Sequence, residues 1–217
     1  INNIGDNYDI YTMQRTKGRK DGLCILIKKK NNIKVIEKIE LNLLEIPSNR
    51  ICLLLRCQFN THNNNKEEFL LANIHLTFPH DEKDYQLRLL QLQLILKKID
   101  LYIQHSTCDD NISVLLAGDF NLNTHVRQDN VSLYLLNLGY QHYYNDIQVN
   151  TGITHLTHNN TQHLVDFIWQ KNTSHAWCIN QCYIYPKELD VNKWPNTNQY
   201  KLSDHRPVIC QYTIPPI

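Results

Sequence analysis

Four short apolar runs in this chain each end on polar, chelating or titratable groups: Asn73-Ile74-His75-Leu76, Gly118-Asp119-Phe120-Asn121, Asp166-Phe167-Ile168 and Ser203-Asp204-His205-Arg206-Pro207. Charged groups at strand ends are costly to order unless they bind something, and the loops at sheet ends are where sites are built on a rigid scaffold. The pattern calls for a fold in which several strands finish close together. Between them the runs supply His75 and His205, the carboxylates of Asp119, Asp166 and Asp204, and the amides of Asn73 and Asn121.

The sequence between these runs reads as one α/β domain over residues 1–217, with neither repeat nor linker. Residues 22–28 and 33–41 are rich in leucine and β-branched residues and are split by the turn-like Lys30-Asn31-Asn32, which predicts a hairpin. Residues 51–59 and 69–76, separated by a polar loop, predict another and hence an antiparallel sheet. Residues 84–103 lack Pro and Gly and place Leu87, Leu90, Leu94 and Lys98 at helical spacing, with Arg88, Gln91 and Lys97 between them. A short buried strand over 113–117 runs into Gly118-Asp119. A second helix over 130–138 ends at Gly139, and residues 165–169 and 208–212 read as further strands. The longest irregular stretch, 185–202, contains Pro186 and Pro195 and is expected to rim a site.

Lysine and arginine total 22 against 21 acidic residues, so no bulk field draws in polyanions and any nucleic-acid contact must come from local patches. Seven cysteines at irregular spacings form neither a CxxC pair nor an even disulfide framework, which reads as reduced and intracellular. No stretch is apolar for the length of a membrane span, so no membrane partner is expected. The chain opens on Ile1 rather than Met, and its natural start is expected upstream.

Hydrolysing a phosphodiester takes a hard cation on the phosphate oxygens, a base for the water and donors for the pentacovalent state, and the four runs hold residues of all three kinds. Aspartate oxygens suit Mg²⁺, or Mn²⁺ in its place. The absence of a Cys/His cage or an HExxH helix argues against zinc.

The order NxHL, GDFN, VDxI, SDHRP resembles the C-terminal motif series of the endonuclease/exonuclease/phosphatase superfamily over residues 22–207. The resemblance implies a four-layer α/β/β/α sandwich of two mainly antiparallel sheets, of which this chain is the C-terminal two thirds. It implies that Asp119 and Asn121 activate and orient water, that His75 and His205 contact the scissile phosphate, that Asp166 holds His205 in its tautomer, and that Asp204 lies on the metal side. Asn73 is expected in the same cleft, and Arg206 and Pro207 shape the turn that presents the SDH pair. His75-Leu76-Thr77-Phe78-Pro79-His80 followed by Arg88 and Gln91, with Arg15-Thr16, Arg19 and Asp21-Gly22-Leu23, is similar to deadenylase homologues of the carbon-catabolite-repressor type. These are grouped with nocturnin-like and Angel-like proteins and include plant members with added calcium-binding hands. The implied partner is single-stranded nucleic acid, with RNA the implied substrate class, handled by a monomer, and the implied activity is that of a 3′-exoribonuclease.

Family members begin with an asparagine-bearing strand and a QE strand whose glutamate is the principal metal ligand. No such segment precedes Tyr8, and both are expected upstream of Ile1. Abasic-site endonuclease, sphingomyelinase-like and inositol-phosphate phosphatase activities share the motif set, and a non-catalytic interaction module is the reading from another class. Arg15 is the cation chosen for a phosphate contact. His80, His125, His142, His155, His158 and His163 are read as surface or loop histidines, although Thr154 to His158 form a family-like THxTH stretch. Tyr140, Tyr143 and Tyr144 are read as core.

Overall fold

The computed structural model describes residues 4–16, 18–60, 66–106, 112–122, 128–144, 152–159, 161–171, 177–185 and 203–213. Cys108, His125 and nearly all of the 185–202 loop lie outside them. A short helix α1 (Ile4–Asn7) leads into β1 (Tyr8–Gln14), β2 (Gly22–Lys28), β3 (Ile33–Asn42), β4 (Ile51–Asn60) and β5 (Lys66–His75). Helix α2 (Glu82–His105), β6 (Ser113–Asp119) and helix α3 (Asn130–Asn137) follow. The short strands β7 (Gln141–His142), β8 (His155–Leu156) and β9 (Gln162–His163) precede β10 (Asp166–Lys171), β11 (Cys178–Ile184) and β12 (Val208–Thr213). The fold is α/β, with a mixed six-stranded sheet in the order β3-β4-β5-β6-β10-β7 and three two-stranded sheets, β1-β2, β11-β12 and β8-β9.

The hairpin expected at residues 51–59 and 69–76 forms as β4 and β5, antiparallel from Cys52↔Ile74 to Asn60↔Lys66. The hairpin expected between 22–28 and 33–41 does not form. β2 pairs with β1, a strand without a clear sequence signal, while β3 pairs with β4. The Lys30 turn, with φ of 64°, therefore passes the chain from one sheet to another. Both strands carry the residues of a half-buried strand, and such residues do not state which neighbour will complete their hydrogen bonds.

Alternation along the strands divides the six-stranded sheet into two apolar faces. Leu54, Leu70, Ala72, Ile74, Leu116, Phe167 and Trp169 meet Leu92, Ile95 and Ile99 of α2 and Val131 and Leu135 of α3. Leu53, Leu55, Phe69 and Leu115 meet Met13 of β1, Leu23, Ile25 and Ile27 of β2, and Trp177. Helix α2 starts where the Asp81 carboxylate accepts the Asp84 amide, at 3.0 Å. Its buried face is Arg88, Gln91, Leu92, Ile95, Leu96 and Ile99. Leu90, one of the leucines that made the helical spacing legible, is 44% exposed instead. The face rotates inward because Arg88 and Gln91 have buried partners. Arg88 pairs with Asp129 at 2.5 Å, and Gln91 joins Ser48 and Thr77 at 2.9 and 2.8 Å. Among the described residues no helix is long and apolar enough to cross a membrane.

Candidate functional site

Register builds the site. His75, the last residue of β5, lies opposite Asp119, the last of the parallel strand β6, and Asp119 lies opposite Asp166, the first of antiparallel β10. Three neighbouring strands thus deliver three polar side chains in one row at one end of the sheet. Asn73, Ala117 and Leu115 share the pleat with His75 and Asp119, so the row lies on the face covered by β1 and β2 rather than by helices.

The backbone just before Asp119 runs very close to β5. Gly118 has φ of 142°, and a β-carbon there would overlap the Ile74 carbonyl oxygen. Beyond it, the Asn121 amide donates to Asp119 Oδ1 at 2.8 Å and Asn121 adopts φ of 48°. That is a local turn of the kind any Asp-x-Asn can make. Here it also buries Asn121, whose Nδ2 donates to the Leu76 carbonyl at 2.9 Å and whose own carbonyl accepts from Arg88.

His205 arrives from the other side of the chain. An isolated bridge joins it to His155, the Leu156 amide donates to the Asp204 carbonyl at 3.1 Å, and the Arg206 amide donates to the Thr154 carbonyl at 2.7 Å. Fully buried Thr154 also accepts the Val165 and Asp166 amides on Oγ1, at 2.9 and 3.1 Å. One threonine therefore locks the His205 segment to the start of β10. Arg206 Nη1 donates to the Ile153 carbonyl at 2.7 Å and braces that turn. His205 Nδ1 consequently meets Asp166 Oδ2 at 2.8 Å, which turns its other ring nitrogen away from Asp166.

Burial works against the His205 imidazolium, but the Asp166 hydrogen bond and charge, with Asp119 and Asp204 beyond, outweigh it and raise the pKa. The stabilisation is complete below the unfolded value of about 6.5 and is lost as pH rises through the higher folded value. In Asp166→Asn the His205 pKa is expected to fall, because the hydrogen bond and charge that raise it are lost. An NMR titration of the imidazole checks this, and an unchanged midpoint would refute the coupling. Burial, with the cations of Arg50 and Arg15, pushes His75 down to about 4, so it is neutral at pH 7, with Nε2 3.4 Å from Asp119 Oδ2. Burial and the Asp166 charge push Asp119 up to about 7.

Two facing carboxylates, one of them reluctant to ionise, make a pair that a cation would relieve. Asp119, Asp166 and His205 bring one ligand atom each within 4.8 Å of one another, and their oxygen donors fit Mg²⁺ or Mn²⁺. Asp204 stands apart from that group. Its side chain is 61% exposed, lies 3.6 Å from His155 Nε2, and belongs to a second triad with His155 and His205.

Other expected residues are drawn into structural duties. Arg15 pairs with Asp21 at 2.6 Å and also donates to the Asn49 carbonyl and side chain. Asn73 Nδ2 donates to the Cys24 carbonyl at 2.9 Å, tying β5 to β2. Tyr140 and Tyr144 are buried, and the Tyr144 hydroxyl donates to the Asp166 carbonyl at 2.7 Å.

Two residues not singled out from the sequence belong to the site. Arg50 faces Asp119 and His75 electrostatically, burial and the Arg15 charge lower its pKa to about 10, and its Nη1 is buried without a hydrogen-bond partner among the described residues. It immediately precedes β4, and a hairpin puts the start of β4 beside the end of β5. A cation next to the His75 end was thus inferable from the predicted pairing. His155 stacks on His205 at 4.2 Å between ring centroids, 17° from parallel. The THxTH stretch was its only signal.

No profile of a known protein family matches the chain. It is 30% identical over 179 residues to an uncharacterized calcium-binding protein of Arabidopsis thaliana, a match that covers 77% of this chain. The chain spans only 36% of that relative's length. The human nocturnin catalytic domain with bound sulfate superposes with a TM-score of 0.70 at 16% identity, over 97% of this chain and 74% of that one. ANGEL2, a 2′,3′-cyclic phosphatase in complex with adenosine-2′,3′-vanadate, gives 0.64 at 16% identity over 95% and 74%. D. rerio TDP2 complexed with a single-strand DNA product gives 0.64 at 16% identity over 96% and 78%. At such identities the likeness establishes the fold.

Proposed function

The chain has the fold of the endonuclease/exonuclease/phosphatase superfamily, with nocturnin and ANGEL2 among its structural relatives, and from that premise we propose that it is a metal-dependent phosphodiesterase acting on nucleic acid, in particular a deadenylase-like 3′-exoribonuclease. The observation that carries the reading is the row of His75, Asp119 and Asp166 across three strands, with His205 held on Asp166 at 2.8 Å. A single-strand DNA product on TDP2 and an adenosine derivative on ANGEL2 support nucleic acid as the ligand class. The β1-β2 and β11-β12 sheets are read here as the part of a second sheet, in a four-layer sandwich, that this chain supplies.

In the proposed mechanism Asp119, at the centre of the row between His75 and Asp166, takes the proton from the attacking water. Asn121, fixed by Leu76 and Arg88, positions that water. His205 donates to a phosphate oxygen through the nitrogen turned away from Asp166, and neutral His75 donates to another. Asp119 and Asp166 would hold Mg²⁺ or Mn²⁺, which would supply neutralisation of the phosphate charge, while Asp204 would act from the neighbouring triad with His155. Arg50 holds a non-bridging oxygen, taking the place given to Arg15 in the sequence reading. Arg50→Gln is expected to lower kcat/KM about 10- to 100-fold, mainly through KM. An unchanged KM removes Arg50 from the substrate site.

The test is hydrolysis of 5′-labelled poly(A) RNA and of a duplex with an abasic site by the full-length protein, with Mg²⁺, with Mn²⁺ and with EDTA. Stepwise shortening of poly(A) that EDTA abolishes supports the 3′-exoribonuclease. Cleavage of the abasic duplex alone moves the assignment to an endonuclease. If neither is cut with either metal, lipid or inositol phosphates, or a binding role, take its place.

A further inference from the structure

The β11-β12 ribbon carries a chemistry that the site does not use. Its register sets Cys182 directly opposite Cys210. Directly opposed residues of an antiparallel pair have Cα atoms about 4.5–5.5 Å apart, inside the span a disulfide bridges. Both residues are free thiols, and both are partly exposed rather than sealed in the core. The two sulfurs are 2.8 Å apart, with the Cys210 thiol donating to Cys182, so forming the bond requires a further approach of about 0.8 Å. Cys52 and Cys57, by contrast, are fully buried and their thiols are held un-ionised by burial.

We propose that Cys182 and Cys210 are an oxidative modification site, a vicinal dithiol that peroxide converts to an intramolecular disulfide across β11 and β12. Cys182 is the attacking residue. The hydrogen bond from Cys210 stabilises its thiolate and lowers its pKa, whereas Cys210 is raised as the donor. The Cys182 thiolate attacks one oxygen of hydrogen peroxide, the O–O bond breaks, and the departing hydroxide takes a proton to become water. Cys182 is left as a sulfenic acid. Cys210, losing its proton, then attacks that sulfur, the S–O bond breaks, and a second water leaves. Two thiols are oxidised by two electrons, and one peroxide is reduced to two waters. The product covalently ties β11 to the strand that follows Asp204 and His205, closing a loop between residues 28 apart.

The full chain is treated with stoichiometric hydrogen peroxide, unreacted thiols are alkylated, and the digest is read by mass spectrometry without reduction. The expected result is a cross-linked pair of peptides carrying Cys182 and Cys210, formed faster than exposed Cys24 is oxidised and reversed by dithiothreitol. The oxidised protein is expected to melt about 5–10 °C higher than the reduced one. In Cys210→Ser, Cys182 is expected to accumulate as a sulfenic acid that dimedone traps. In Cys182→Ser, Cys210 stays reduced. The proposal is overturned if Cys182 and Cys210 survive as thiols while Cys24 is oxidised, or if they pair with other cysteines instead of each other. Because the wild-type cross-link is read directly, a variant that folds poorly leaves the test intact.

Discussion

Asp119→Asn is expected to reduce phosphodiester hydrolysis by about 10³- to 10⁴-fold, and at the same time to make the metal-free protein more stable at alkaline pH. The two effects have one cause. The Asp119 carboxyl is buried opposite Asp166, and its pKa is pushed up to about 7. Between its ordinary value near 3.8 and 7, the folded state therefore holds a proton that the unfolded state releases. Folded stability falls as pH rises through this window, because ionising Asp119 in the folded protein is opposed by burial and by Asp166. Asparagine keeps the oxygen that accepts the Asn121 amide and removes the charge. The variant is expected to gain about 2–4 kcal/mol over wild type above pH 7, in EDTA, and nothing below about pH 4. Urea unfolding across pH, beside nuclease assays, measures both. A variant less stable than wild type at pH 8 would mean that Asp119 is primarily structural. Unimpaired cleavage would remove it from the chemistry.

The second large effect is on stability. Asp129→Ala is expected to cost about 3–5 kcal/mol, read as a lower urea midpoint, because it strands the Arg88 guanidinium in the core. Arg88 and Asp129 are 1% and 0% exposed, and their 2.5 Å pair joins α2 to the start of α3. Asp129 also caps α3 by accepting the Val131 amide at 2.9 Å, and losing a cap costs about 1 kcal/mol. The same Arg88 holds the Asn121 carbonyl, so the site should suffer with the core. In Arg88→Met/Asp129→Leu no charge is left unpaired, and most of the stability is expected to return. Activity is not expected to follow, since methionine cannot hold Asn121. Equal recovery of both would refute the positioning role of Arg88.

The parts of this protein that were legible in its sequence are those decided by near neighbours along the chain. The 24-residue helix α2 is one, since a Pro- and Gly-free run with apolar residues at helical spacing favours little else. Hairpin β4-β5 and the end of α3 at Gly139, with φ of 82°, are others. Each site motif likewise announced itself by ending an apolar run on a polar group: His75, Asp119 and Asp166 sit at strand termini for a reason visible in four residues of sequence.

What the sequence left open is pairing between segments far apart, because a strand's hydrogen bonds can be completed by any edge that offers the right register. Residues 22–28 could take 33–41 or 8–14 as partner, and the apolar face formed with Met13, Tyr11 and Trp177 chose the latter. Arg88 and Gln91, which stand between the leucines of the helical spacing, became buried polar partners once Asp129, Ser48 and Thr77 met them. Arg50 and the Cys182–Cys210 pair carry no local signature, and His155 has only the THxTH stretch. A guanidinium nitrogen buried without a partner among the described residues, a stacked imidazole and two sulfurs 2.8 Å apart are properties of contacts across 28 to 69 residues of chain. Local chemistry determined which residues could act, and long-range strand register decided which of them meet.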